Sequence, residues 1–208
     1  MAKVHGGGQL AFVVQKHKAT SLHYDFRLEV GGVMPSWSIP KGPTLDSSVR
    51  RLARPTTDHP LEYRHFEGVI PHGHYGAGPV MIWDEGTYNP EVEVSHGVRT
   101  EVTDRDEAER VAREGLEAGN LKFRLYGKKL TGSFALIRTA GLGGKESWLL
   151  IKHRDGHSQS GYDANDHDSS AVSHRSLAQI ASQEEFGRPS DDSAGQHPVG
   201  LNAKAGVL

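Results

Sequence analysis

The segment Gln15–Glu29 reads QKHKATSLHYDFRLE. From Leu22 onward, large apolar and polar side chains alternate, the period-2 signature of a strand with one packed face. Tyr24, Phe26 and Leu28 fall on the packed side, and His23, Asp25 and Arg27 on the other. Upstream, Val13, Gln15 and His17 form a second alternating row, and Lys18–Leu22 is short enough to close a hairpin that sets His17 beside His23. Two neutral imidazoles and a carboxylate make a half-open shell for a divalent metal, with places left for water and a substrate oxygen. Paired strands hold such a shell rigidly. Arg27 in the same row suits an anionic substrate, phosphate above all. The competing reading is an ordinary surface on which Asp25 only pairs with Arg27.

Outward from this segment the pattern stays β. Short apolar runs separated by turn residues recur as FVVQKH, HYDFRLEV, SWSIP, PVMIWD, LKFRLYG, GSFALIR and WLLIKH. Strands at this spacing predict a mainly β fold, a small closed or partly open β-barrel. One helix is expected, capped by Thr103, with Ala108, Val111, Ala112 and Leu116 at helical spacing and Gly119-Asn120 as its stop. Trp37, Trp83 and Trp148 sit in strand-like runs and read as core rather than as base-stacking platforms. The domain is expected over residues 12–155, after an N-terminal arm over 1–11. Residues 156–208, rich in Ser, Asp, Gly and Gln, read as a disordered tail in which SLAQIA (176–181) forms at most a short helix.

Composition narrows the chemistry. With 208 residues there is room for one domain with a real core. The absence of cysteine excludes disulfides, thiolate metal sites and a cysteine nucleophile, and fits a reducing, cytoplasmic setting. No apolar run is long enough to span a bilayer. The net charge of −2 is uneven: residues 1–55 hold eight Lys/Arg against three acids, so a basic face is compatible with a near-neutral total.

Three further motifs bear on function. Lys41–Tyr63 (KGPTLDSSVRRLARPTTDHPLEY) gathers Lys41, Arg50, Arg51 and Arg54 with His59 and Tyr63; its prolines rule out a long helix and predict a loop with short elements. GHYGAG (73–78) lacks the Lys-Ser/Thr of a phosphate loop and reads as a turn, so His72 and His74 are weak ligand candidates. Lys152–Gly156 is one residue too long for a nucleotidyl-transferase Lys-x-Asp-Gly.

Taken in order, QKHKATSLHYDFRLE, SWSIPKGPTLD, DHPLEY, FEGVIPHGHYGAG, KLTGSFALIR and WLLIKH resemble the 3'-phosphoesterase domain associated with bacterial DNA ligase D, over about Phe12 to His153. The resemblance implies a β-barrel with a manganese-dependent site, other divalent metals being admissible. By motif position the ligands are His17, His23 and Asp25, and the phosphate-contacting groups are Arg27, Arg51, His59 and Tyr63. It implies action on the 3' end of a DNA primer-template: removal of a 3'-phosphate, with resection of a terminal ribonucleotide as a further activity. The setting would be end joining beside separate ligase, polymerase and Ku proteins, away from membranes. Two departures stand out. The chain begins MAKVHGGGQLAFVV, without the Arg-Asp pair and downstream glutamate usual in the family, which weakens the expectation of ribonucleotide resection. His74 stands where a glutamate is common, and the turn reading is preferred there. Rival readings are a non-haem iron oxygenase, in which His23-x-Asp25 and His17 or His59 mimic a two-histidine, one-carboxylate triad, and a non-catalytic DNA-end-binding module.

Overall fold

A computed structural model describes residues 8–141 and 146–187. The alternation in the opening segment becomes an antiparallel hairpin of β1 (Leu10–Lys18) and β2 (Leu22–Leu28). Its register sets His17 opposite His23, Gln15 opposite Asp25 and Val13 opposite Arg27. The sheet continues through β3 (Val33–Ile39) and β4 (Arg50–Pro60); further along the chain come β5 (Gly68–Ile70), β6 (Gly78–Ser95), β7 (Val98–Glu101), β8 (Asn120–Gly127), β9 (Thr131–Thr139) and β10 (Ser147–Lys152). The wall runs β1-β2-β3-β4-β10-β9-β8-β6, and β6 pairs back onto β1. This is a closed eight-stranded antiparallel barrel, with β5 and β7 as two extra strands on β6. Closure removes the unpaired edges that an open sheet would expose.

The barrel fills with the inward row of each strand. Phe12, Val14, Tyr24, Phe26, Leu28, Trp37, Ile39, Trp83, Phe123, Phe134, Leu136 and Trp148 share one buried cluster. Each large apolar side chain so placed is worth about 1.5–3 kcal/mol. The three tryptophans are core, as expected; Trp37 meets Trp148, and Trp83 meets Tyr24, edge to face. A second, smaller cluster of Val13, Met34 and Ile82, with Leu61 against it, lies on the other side of the wall. It seats the short 3-10 turn Leu61–His65 over the outer face of β1–β3, the face that bears His17, Asp25 and Arg27.

The helix α1 (Arg105–Ala118) forms where its spacing predicted, burying Ala108 and Ala112. Its cap is Asp104 rather than Thr103: the Asp104 carboxylate accepts from Glu107 N, and Gly119 ends the helix in the left-handed region at φ 73°. β4 corrects the loop reading of the proline-rich segment. Pro55 and Pro60 are tolerated because β10 pairs only with Arg50–Ala53, so beyond Ala53 one edge of β4 needs no N–H donors.

The residues after Asp155 also differ from the expected tail. Ala164, Leu177 and Ile180 join the main core, and α2 (Leu177–Gly187) extends the short helix expected at SLAQIA. Trp83 Nε1 donates to the His167 carbonyl at 2.9 Å, and Lys16 pairs with Asp168 at 2.9 Å. Glu67 accepts hydrogen bonds from Ile82 N and Ser170 Oγ. Composition concealed this segment because few apolar residues do the packing and polar tethers supply the rest. The expected arm over 1–11 lies outside the described residues except for its last four, of which Leu10 and Ala11 already belong to β1; residues 188–208 lie outside them too.

Two outcomes follow for stability. Ile180→Ala in the full chain should cost about 2–4 kcal/mol by urea unfolding; an unchanged midpoint would mean that the segment after Asp155 adds nothing to the core. His153 Nδ1 lies 2.8 Å from Ser133 Oγ, and burial, with the charges of Arg99, Lys152 and Lys122, pushes this imidazole down to about 4. Between pH 6.5 and 4 the unfolded chain then binds the proton and the folded chain does not, so stability is full above 6.5 and falls toward pH 4. His153→Gln should remove about 2 kcal/mol of that fall; parallel pH–stability curves for the two proteins would contradict this.

Candidate metal centre and phosphate site

The β1–β2 register brings His17, His23 and Asp25 onto one patch of the outer wall. One ligand atom from each lies within 4.8 Å of the others. His17 Nδ1 is 3.7 Å from Asp25 Oδ2, and His23 Nε2 is 3.6 Å from Asp25 Oδ1. These separations are too long for hydrogen bonds. They match ligands about 2.1 Å from a common ion, which lie roughly 3 to 4 Å apart.

The far nitrogen of each ring decides what the near one offers. His17 Nε2–H donates to the Gly76 carbonyl at 2.7 Å, and His23 Nδ1–H donates to the Ser21 carbonyl at 3.0 Å. In the neutral rings, His17 Nδ1 and His23 Nε2 are therefore bare lone pairs turned toward a carboxylate. Three acceptors facing one another repel unless a cation lies between them. Backbone carbonyls that orient imidazole ligands in this way are the usual support of a metal shell. The residues thus fit a divalent ion. Burial alone would raise the Asp25 carboxyl, but the two imidazoles and the Arg27 charge outweigh it and hold it well below the usual carboxylate range. His23 is raised, chiefly by Asp25, against the effect of burial.

Arg27 adjoins the trio and is only 3% exposed. Its Nη2 donates to Asp25 Oδ2 at 3.1 Å, its Nε to Gln15 Oε1 at 2.8 Å and its Nη1 to Ser36 Oγ at 2.8 Å. Gln15 in turn donates through Nε2 to the carbonyls of Tyr63 and Phe66, each at 3.0 Å. The guanidinium lies over the Tyr63 ring, 5.3 Å from its centroid, and Tyr63 lies 4.8 Å from the His59 ring. His59 arrives through an irregularity in the β3–β4 register between Met34 and Ser36, a common device for re-aiming a side chain. Its Nδ1 is 3.0 Å from Arg27 Nη1 and 2.8 Å from the Thr57 carbonyl, and any one tautomer makes only one of these a hydrogen bond. Burial, then the Arg27 charge, lowers His59 and favours the neutral ring.

The structure therefore gathers His17, His23, Asp25, Arg27, His59 and Tyr63. It does not gather Arg51. On β4, Arg51 has the parity of buried Ala53 and lies opposite Leu150, so it belongs to the barrel's inner side, where its charge reaches Asp46 and Asp163. Arg54, opposite Ser38, which is itself opposite Asp25, is the β4 arginine on the metal face. His72 and His74 lie in an exposed turn, outside the ligand cluster found among the described residues. Gln15 and Ser36 are members that sequence reasoning assigned no role. Gln15 shares the parity of His17, and Ser36 stands opposite Arg27, so strand register was the signal available for both.

Residues 15–138 match the family described as the DNA ligase D 3'-phosphoesterase domain. The chain belongs to that family. It is 48% identical over 153 residues to the multifunctional non-homologous end joining protein LigD of Pseudomonas aeruginosa, covering 74% of this chain and 16% of that protein. The corresponding DNA repair protein of Mycobacterium tuberculosis is 42% identical over 148 residues, 71% of this chain and 16% of the relative. That of Mycolicibacterium smegmatis is 39% identical over 149 residues, 72% of this chain and 18% of the relative. The chain thus spans under a fifth of the length of these relatives, and the phosphoesterase family's matched segment contains every residue of the site.

A thermal shift tests the ligand set. Mn2+ at 100 times its dissociation constant should stabilise EDTA-stripped protein by about 2.7 kcal/mol. His23→Ala and Asp25→Asn should lose most of that gain; equal gains in all three proteins would put the ion elsewhere.

Proposed function

We propose that this chain is a metal-dependent DNA 3'-end phosphoesterase that removes a terminal 3'-phosphate and leaves a 3'-hydroxyl for repair. The observation that carries the reading is the convergence of two bare imidazole nitrogens and Asp25 beside a buried, oriented guanidinium. Arginine in that place fits phosphate, and its rigid network fits an oxyanion that must be held in one geometry.

His17, His23 and Asp25 would hold the ion, manganese being the form proposed. A divalent ion there would supply positive charge for a phosphate and would acidify water near neutral pH. The protein's own part begins with Arg27. Four of its N–H groups face protein partners, so its charge is fixed beside Asp25 without needing to reorganise as negative charge builds on the phosphoryl oxygens. With His59 Nδ1 accepting from Arg27, the neutral ring keeps Nε2–H as a donor. His59 then acts better as a hydrogen-bond donor to the transition state than as a general acid. Tyr63 packs against both Arg27 and His59 and offers its phenol to the phosphate. The phosphate contact assigned to Arg51 by resemblance has no support in its position and is not part of this proposal.

The partners proposed are the 3' ends of DNA primer-templates, with ligase, polymerase and Ku acting on the same ends in a cytoplasmic repair setting. The relatives' roles in non-homologous end joining support this placement. Among the described residues no helix is long and apolar enough to cross a membrane.

The test is a gel assay with a 5'-labelled primer bearing a 3'-phosphate on a template. Manganese-loaded protein should yield the 3'-hydroxyl product; EDTA and His23→Ala should abolish it, and Arg27→Ala should lower kcat at least about 100-fold. DNA that is bound but left intact would favour the end-binding module. Keto-acid-dependent oxygen uptake with iron would favour the oxygenase.

A further inference from the structure

With Trp37, Trp83 and Trp148 all buried, the aromatic that stands out is Tyr75. Its relative exposure is 104%, and its hydroxyl has no hydrogen-bond partner among the described residues. Tyr126, the other exposed tyrosine, is different, because its phenol donates to Glu101. An apolar ring left wholly in water forgoes the stabilisation that contact with another surface would bring.

Its position gives the exposure a use. Tyr75 lies in the turn between β5 and β6, shaped by Gly73 at φ 88° and Gly76 at φ 76°. Backbone bonds from His74 N to the Pro71 carbonyl and from Ala77 N to the His74 carbonyl define the turn. The next residue, Gly76, supplies the carbonyl that accepts His17 Nε2–H and so orients one of the metal ligands. Adjacent Cα atoms are about 3.8 Å apart. Tyr75 is thus tied by one peptide unit to the group that aims His17, whose neighbour Asp25 pairs with Arg27 of the proposed phosphate site. A 3'-phosphorylated nucleotide whose phosphate occupies that site must place its base a few ångströms away.

We propose that Tyr75 is a stacking platform for the nucleobase of the 3'-phosphorylated terminal nucleotide. This rests on the phosphoesterase reading and adds the substrate's second point of contact. Arg27, His59 and Tyr63 address phosphate and so distinguish no nucleotide from a simple phosphate ester. An aromatic face accepts any of the four bases, which suits an activity that must act on ends of every sequence. Base–aromatic stacking of ordinary strength makes the ring worth roughly tenfold in affinity.

The experiment compares the full-length wild type with Tyr75→Ala and Tyr75→Trp on two 3'-phosphate primers, one ending in a natural nucleotide and one in an abasic residue. Tyr75→Ala should raise KM about tenfold on the natural end with kcat changed less than twofold, and Tyr75→Trp should keep wild-type KM. On the abasic end, Tyr75→Ala should cost less than about twofold in kcat/KM. Equal losses on both ends, or a loss of Mn2+ affinity in Tyr75→Ala, would overturn the proposal in favour of a structural role for the turn. A second readout does not need turnover: 2-aminopurine at the primer terminus, bound in EDTA, should be quenched by wild type and not by Tyr75→Ala. Quenching without phosphate release would refute the phosphoesterase reading while leaving the platform standing. Phosphate release with identical kinetics and quenching in wild type and Tyr75→Ala would refute the platform alone.

Discussion

Pairing of His17 with His23 across the β1–β2 hairpin is the constraint on which the site depends. The same register sets Gln15 opposite Asp25, and alternation then carries Arg27 onto the face of the two histidines. A slip of one residue would turn His23, Asp25 and Arg27 into the barrel and expel Tyr24, Phe26 and Leu28 to solvent. The buried aromatic row therefore enforces the position of the polar row. Site geometry and core packing are two faces of a single strand, which is why the three candidate ligands need no flexible loop to bring them together.

A second constraint comes from the outer face. Val13, Met34, Ile82 and Leu61 form an apolar seat away from the main core, and this seat positions the turn that bears Tyr63. Gln15 then ties that turn to Arg27, accepting from the guanidinium and donating to the carbonyls of Tyr63 and Phe66. Burial of a guanidinium is costly unless its donors are satisfied and its charge is paired. Asp25, Gln15 and Ser36 meet that requirement, so Asp25 serves both the cation beside it and the ligand set. Removal of Asp25 or of Arg27 alone would leave the other's charge uncompensated in the wall. Glu67, just after Phe66, binds Ser170 and Arg175, so the segment after Asp155 is joined to the chain that frames the site.

Much of this was legible because the decisive signals are local. Alternation marks the two faces of β2, and the short connection Ala19–Ser21 leaves little choice of hairpin register, so the trio is readable from the sequence. What escaped depended on long-range pairing. Arg51, Arg54 and their neighbours give no clear alternation, and only the pairing of β4 with β3 and β10 shows which arginine faces the metal side. The prolines of β4 suggested loop because a proline's cost depends on whether a neighbour needs its N–H, and that neighbour is remote in sequence. The short strands β5 and β7 have too few residues for a periodic signal. The segment after Asp155 was hidden for a related reason: Ala164, Leu177 and Ile180 are sparse, and the polar tethers at Asp168 and Ser170 have partners about a hundred residues or more away.

The account rests on two imidazole nitrogens and one carboxylate meeting at a single cation. Pulsed electron paramagnetic resonance of the Mn2+-loaded full chain examines this directly, because nitrogen-14 coupling reports ligation by imidazole. The account predicts coupling to two imidazole nitrogens, reduced to one in His17→Gln. A spectrum of fully hydrated Mn2+, with no nitrogen coupling at an ion occupancy of one per chain, would contradict it.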